Sequence, residues 1–186
     1  MKKKLLAFLL AAVCAVGAIP AATVAEVPVR VEAATKKAPS INKVYSAVKK
    51  AYGSDYLPSV RLKKDEIKTR FGISSSWYSS AIAEMPMISA HVDTLVIVKA
   101  KNADSKTKIK KALVDYRKSL IKDTSQYPMN QLKIQASKVY VKGSYVCFFM
   151  LGTLDAKEQE QEESKVIAAY KKLNDKAVRA VKKLYK

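Results

Sequence analysis

The feature that most constrains the fold is a run of seven apolar residues, Tyr145-Val146-Cys147-Phe148-Phe149-Met150-Leu151. Successive side chains of a strand point to opposite faces, so this run is apolar on both. It has no face to offer water and belongs at the centre of the core. A second such segment, Leu95 to Val98, falls within a strand expected over residues 87–99, which should therefore lie inside the sheet or beneath helices. Lys142-Gly143 reads as a short hairpin turn between strands at 137–141 and 144–151, with glycine permitting positive φ.

The remaining segments supply the cover. Ser40 is a candidate cap for a helix carrying Ile41, Val44, Tyr45, Val48 and Tyr52 at three- and four-residue spacing, ended by Gly53. A short helix over 64–71 stops at Gly72. Ser74, Ser75 and Ser76 are candidate caps for a third, carrying Trp77, Tyr78, Ala81 and Ile82 toward Glu84. Pro86 then switches the pattern to strand. Asp104 or Ser105 opens another helix with the stripe Ile109, Ala112, Leu113, Tyr116, Leu120 and Ile121. Its other face is mostly lysine, at positions 106, 108, 110, 111, 118 and 122. Residues 123–135 fit neither period and read as a loop over the sheet.

The last segment begins with Glu158, Glu160, Glu162 and Glu163 and ends with Arg179, Lys182, Lys183 and Lys186, matching a helix dipole at both ends. Its stripe, Val166, Tyr170, Leu173, Ala177, Val181 and Leu184, should pack on the domain. The expected class is α+β: a small antiparallel sheet of three or more strands covered by helices, with a long C-terminal amphipathic helix.

The N-terminus carries Lys2, Lys3 and Lys4, an apolar run from Leu5 to Ala18, Pro20 and small residues, which is the order of a secretory signal. The run is shorter than the roughly 20 apolar residues of a membrane span. Ala22, Ala25 and Ala33 are candidate cleavage points, and Ala33 leaves no apolar scrap on the mature chain. The organisation expected is a signal peptide over 1–33, an α+β domain over 34–155, and the charged helix over 156–186, packed on or appended to that domain. Cys147 would then be the one remaining cysteine, and no intrachain disulfide is expected.

The chain holds 35 basic and 16 acidic residues. Removal of the leader takes four and two of these and leaves 31 and 14, a net charge of +17. Outside a cell such a surface attracts wall polymers, acidic polysaccharide and anionic lipid headgroups. Lysine dominates, and the arginine- and aromatic-rich patches of a nucleic-acid surface are missing, which argues against that partner. The mature chain is expected to have no transmembrane span. The sequence sets no oligomeric state.

Catalytic motifs are scarce. One histidine and one cysteine in the mature chain argue against zinc, and phosphate-cradling glycine loops and serine nucleophile elbows are missing. No metal or other cofactor is expected. His91 and Asp93, two residues apart on one expected strand face with Cys147 on another strand, are the one candidate nucleophile arrangement. The polar residues Gln126, Asn130 and Gln135, set beside apolar strands, must find partners if buried.

Three regions carry a resemblance: Ala51-Tyr52-Gly53-Ser54-Asp55-Tyr56-Leu57-Pro58; Glu84-Met85-Pro86-Met87-Ile88-Ser89-Ala90-His91-Val92-Asp93; and Gln126-Tyr127-Pro128-Met129-Asn130 through Lys133-Ile134-Gln135-Ala136-Ser137 to Val146-Cys147-Phe148-Phe149-Met150-Leu151-Gly152. Together they resemble the DUF4358 family of exported proteins from Gram-positive bacteria, over about residues 41–152. The resemblance implies an extracytoplasmic domain, often a lipoprotein, and supplies no activity. Val13-Cys14 departs from the lipoprotein form, which wants a smaller residue before the cysteine. The segment from Ala156 onward is expected to be an added element outside the family core. The function expected is a noncatalytic envelope module binding an anionic wall polymer or an envelope protein; the alternative is a cysteine/histidine enzyme or a small-ligand domain. Candidate ligand-binding residues are His91, Asp93, Gln126, Tyr127, Asn130 and Gln135.

Overall fold

A computed structural model describes residues 38–186 apart from Ser89. The expected signal and its cleavage points lie outside the described residues. Among the described residues the fold is α+β, with five antiparallel strands in the order β1-β2-β3-β5-β4. These are β1 Val60–Arg61, β2 Tyr78–Met85, β3 Thr94–Ala100, β4 Lys138–Lys142 and β5 Tyr145–Met150.

The doubly apolar strands are the centre of the sheet. β3 pairs with β5 from Thr94 opposite Met150 to Lys99 opposite Tyr145. Every residue of β5 is buried. Ala83, Val96, Val98, Val146, Phe148 and Met150 face one layer, with Ile67 and Phe71 of helix α2 (Lys64–Phe71) and Ile109 and Leu113 of α3 (Ala103–Lys122). Leu95, Ile97, Tyr145, Cys147 and Phe149 face the other, with Val44 and Val48 of α1 (Ile41–Tyr52) and Ala177 and Val181 of α6 (Glu163–Lys183). Helices on both faces are what a strand apolar on both faces requires.

Ser40 caps α1, its Oγ accepting the Lys43 N–H, and Gly72 ends α2 in the left-handed region. Asn102, two or three residues before the expected helix start, holds the N-terminus of α3 by accepting the Ser105 N–H at 2.8 Å.

Three expectations are corrected. Residues 74–84 are not a helix: a 3-10 turn, Ser75–Trp77, leads directly into β2. Ala81 packs on one face of the sheet and Ile82 is buried from the other, so two-sided cover hides the period-two alternation. The strand expected over 87–99 starts only at Thr94. Residues 86–93 form the connection, opened by Pro86, which has no N–H for the ladder. The stretch 123–135 is not all loop, because Pro128 starts helix α4, Pro128–Ala136. A proline at the first helical position loses no helical hydrogen bond and supplies a suitable φ, so Pro128 within the expected loop is a helix start signal.

The acidic run divides into a four-residue helix α5, Ala156–Gln159, and α6. α6 belongs to the core. Val166 and Tyr170 pack with Leu132 and Ala136 of α4, and Ala177 and Val181 pack on the sheet. Asn174, fully buried, accepts the Leu151 N–H at 3.0 Å and donates to the Ala136 carbonyl at 3.0 Å. Tyr52 of α1 donates its hydroxyl hydrogen to the Leu173 carbonyl at 2.7 Å.

Candidate functional site

The candidate residues gather at the sheet end where β3 begins and β5 finishes. Asp93, the last residue before β3, is fully buried. Its Oδ2 meets Lys133 Nζ at 2.5 Å and its Oδ1 accepts the Gly152 N–H at 3.1 Å. Lys133 is itself buried between Leu132 and Ile134 on α4, with its ammonium 5.6 Å from the Tyr170 ring centroid. Burial pushes the Asp93 carboxyl above its ordinary range, against the pull of Lys133, the Gly152 N–H and His91. Burial pushes Lys133 down, against the pull of Asp93. The two groups titrate as a pair.

Two cavities flank the 86–93 connection. The smaller, about 250 Å³, is lined by His91, Asp93, Tyr127, Asn130, Lys133 and Tyr170, among others. Asn130 anchors one wall, its Nδ2 donating to the Ala90 carbonyl at 3.0 Å. The larger, about 580 Å³, lies toward α2 and α3 over a floor that includes Leu62, Met85, Tyr116 and Met150. Its polar lining is Glu66, Arg70, His91, Thr94 and Gln126. Met87 and Ile88, 80% and 64% exposed, stand on the connection beside it.

The structure thus brings together His91, Asp93, Tyr127 and Asn130. It places Gln126 in the neighbouring cavity, with Nε2 donating to Asp123 Oδ2 at 3.2 Å. Gln135 is apart from both: its side chain is exposed and its backbone carbonyl accepts from Arg117 Nη2 at 2.7 Å. His91 and Asp93 do not share a strand face, since the buried carboxylate points inward and the imidazole is exposed. Sequence reading missed Lys133, whose one signal was a lysine enclosed by Leu132, Ile134 and Ala136.

Cys147 is fully buried between Ile97 and Tyr140 on the face covered by α1 and α6, and burial pushes its thiol well up. His91 lines open cavities beyond the sheet end, so the thiol and imidazole are not brought together. Among the described residues, no group of three or more His, Cys, Asp or Glu side chains is placed to hold a metal ion.

A second polar cluster lies at the sheet edge. Glu84 of β2, buried, accepts from Tyr56 Oη at 2.6 Å and from Arg61 Nε and Nη2 at 3.0 and 2.7 Å. Arg61 stacks 4.8 Å from the Tyr45 ring centroid. The first two resembling segments therefore meet at Tyr56 and Glu84, and the second and third at Asp93, Lys133 and Gly152.

The cationic surface is unevenly neutralised. On α3, Lys108 pairs with Asp104 at 2.8 Å and Lys111 with Asp115 at 2.6 Å. From Lys176 to Lys186 there is no acidic residue at all.

Residues 51–151 match the model of a family described as a domain of unknown function, DUF4358. No curated protein and no solved structure matches the chain. The matched segment holds the entire sheet and the helices of one face, whereas most of α1 and all of α6, which cover the other, lie outside it.

Proposed function

The chain belongs to the DUF4358 family, and from that premise we propose that it is an exported, noncatalytic module that binds an anionic polymer of the cell envelope. The observation that carries this reading is the large, unevenly paired positive charge: 31 basic against 14 acidic residues after residue 33, with an acid-free C-terminal stretch. A field of one sign concentrates polyanions and is screened by salt. Sealing of Cys147 and neutralisation of Asp93 by Lys133 favour binding over the cysteine–histidine chemistry.

The test is retention of the purified chain on isolated cell wall. Retention that falls steeply as salt rises is expected, and absence of salt-sensitive retention overturns the reading. Export is tested by mass spectrometry of the mature N-terminus. A start at Ala34 is expected; a retained leader or a fatty-acylated Cys14 overturns simple cleavage.

A second reading, a small apolar ligand held at the sheet end, is favoured by the 580 Å³ cavity with its apolar floor and few polar groups. A rise in Tm with an amphiphilic carboxylate, abolished by Arg70→Ala, would support it.

A further inference from the structure

α1 and α6 lie side by side on the sheet, and a groove of about 420 Å³ runs between their outer shoulders. Its lining is Ala47, Lys50 and Ala51 from α1, and Lys176, Arg179, Ala180 and Lys183 from α6, with Leu184 at one end. These positions follow one helical face on each side, at spacings of three and four residues. Val44, Val48, Ala177 and Val181 point to the sheet instead.

Three features of this groove go together. Its floor stops at alanine Cβ atoms, so no side chain fills the valley. Four cations border it, and no acidic side chain lines it. Among the described residues none of the four is in an ion pair.

Helix electrostatics explain only part of this. The dipole favours cations in the last turn, which covers Lys183 on α6 and Lys50 on α1. Its influence fades within that turn and does not extend back to Lys176 and Arg179. Like charges at three- and four-residue spacing, as in Lys176, Arg179 and Lys183, disfavour the isolated helix by a few tenths of a kcal/mol per pair. The α3 surface shows the alternative, interleaving Asp104 and Asp115 with its lysines.

We infer that the α1–α6 groove is a binding site for a linear polyanion, a chain of phosphate or carboxylate groups. This rests on the polyanion reading above and assigns it a place. Lys176, Arg179 and Lys183 are spaced about 4.5 and 6 Å along the α6 axis, from the rise of 1.5 Å per residue. A flexible chain laid along the valley meets them in succession, with Lys50 on the opposite wall. The alanine floor lets the chain approach close enough for Arg179 to make paired hydrogen bonds to an anionic group.

Long-chain inorganic polyphosphate and poly-glutamate serve as phosphate and carboxylate probes of the full chain. Lys176→Glu/Arg179→Glu is compared with Lys110→Glu/Lys118→Glu on α3, which changes net charge equally at exposed sites outside the groove. Circular dichroism and Tm establish that each variant is folded, and Lys176→Gln/Arg179→Gln replaces the first if it is not. The groove variant is expected to lose about tenfold or more in affinity and to show a shallower salt dependence, while the α3 variant stays within about twofold of wild type. Equal losses in both would overturn the groove and leave general charge attraction standing. No binding by the wild-type chain would overturn the polyanion reading itself. The probe with the larger groove-dependent loss identifies the anionic group.

Discussion

Lys133 Nζ stands 2.5 Å from Asp93 Oδ2, joining two residues forty apart in sequence and both buried. Through the Gly152 N–H on the other carboxylate oxygen, the pair ties the 86–93 connection, α4 and the exit of β5 into one corner.

Removing one partner leaves the other charge buried and unpaired. Lys133→Met should cost about 3–5 kcal/mol of stability, and Lys133→Met/Asp93→Asn should recover part of that loss. Denaturant unfolding of both variants measures this. A double variant no better than the single would show that the pair is not the source of the cost.

The pair also sets a pH dependence. In Asp93→Asn the carboxylate that supports the charged lysine is gone and burial remains, so the Lys133 value falls further below its ordinary 10.5. Between that depressed value and 10.5 the unfolded chain holds a proton that the folded chain lacks. Stability therefore rises with pH through this window, more steeply in the variant than in wild type. Tm measured from about pH 6.5 to 10 reads the difference; parallel curves would refute it.

Gly152 has φ of +94°, and a Cβ there would sit 3.1 Å from Leu173 Cδ1 and 3.2 Å from the Tyr52 ring. Gly152→Ala combines backbone strain with crowding between α1 and α6. A loss of about 2–4 kcal/mol is expected from the two costs together. Thermal unfolding checks it, and a loss below about 0.5 kcal/mol, the range of ordinary surface changes, would mean that neither cost is present.

Glu84→Gln keeps the size of the side chain but removes the charge that Arg61 and Tyr56 both address. The expected loss is about 1–3 kcal/mol, from charge-assisted hydrogen bonds weakened at a buried site. Urea unfolding measures it, and a neutral result would place the cluster's weight on Arg61 stacking over Tyr45.

Cys147 should be inert to thiol reagents in the folded state. In a Cys14→Ser chain, labelling by an aromatic disulfide should follow the unfolding equilibrium as urea is raised, because the thiol is sealed by α1 and α6. Rapid stoichiometric labelling of the native chain would mean that this helical layer opens locally.

The sequence by itself determined the elements whose pattern has one interpretation. β5 and the core of β3 are apolar on both faces, and no arrangement but a covered central strand accommodates them. The stripes of α1 and α6, that of α3 as far as Leu120 with Ile121 left exposed at its end, and the stops at Gly53 and Gly72 are equally local. Only the tertiary structure decided between strand and helix for residues 78–85, because cover on both sides removes the alternation that marks a strand. The same limit hid the corner of Asp93, Lys133 and Gly152. A buried charge is stable only beside its partner, and the apolar neighbours of Lys133 mark it as a candidate for burial without saying that its partner is Asp93, forty residues away. The candidate residues from 91 to 130 could be named as polar groups among apolar ones, but the spatial order that separates Asp93 inward from His91 outward, and sets Gln135 apart, arises from packing α4 between the sheet end and α6. The groove between α1 and α6 likewise joins helices far apart in sequence, and its charge becomes a local feature only once those helices lie side by side.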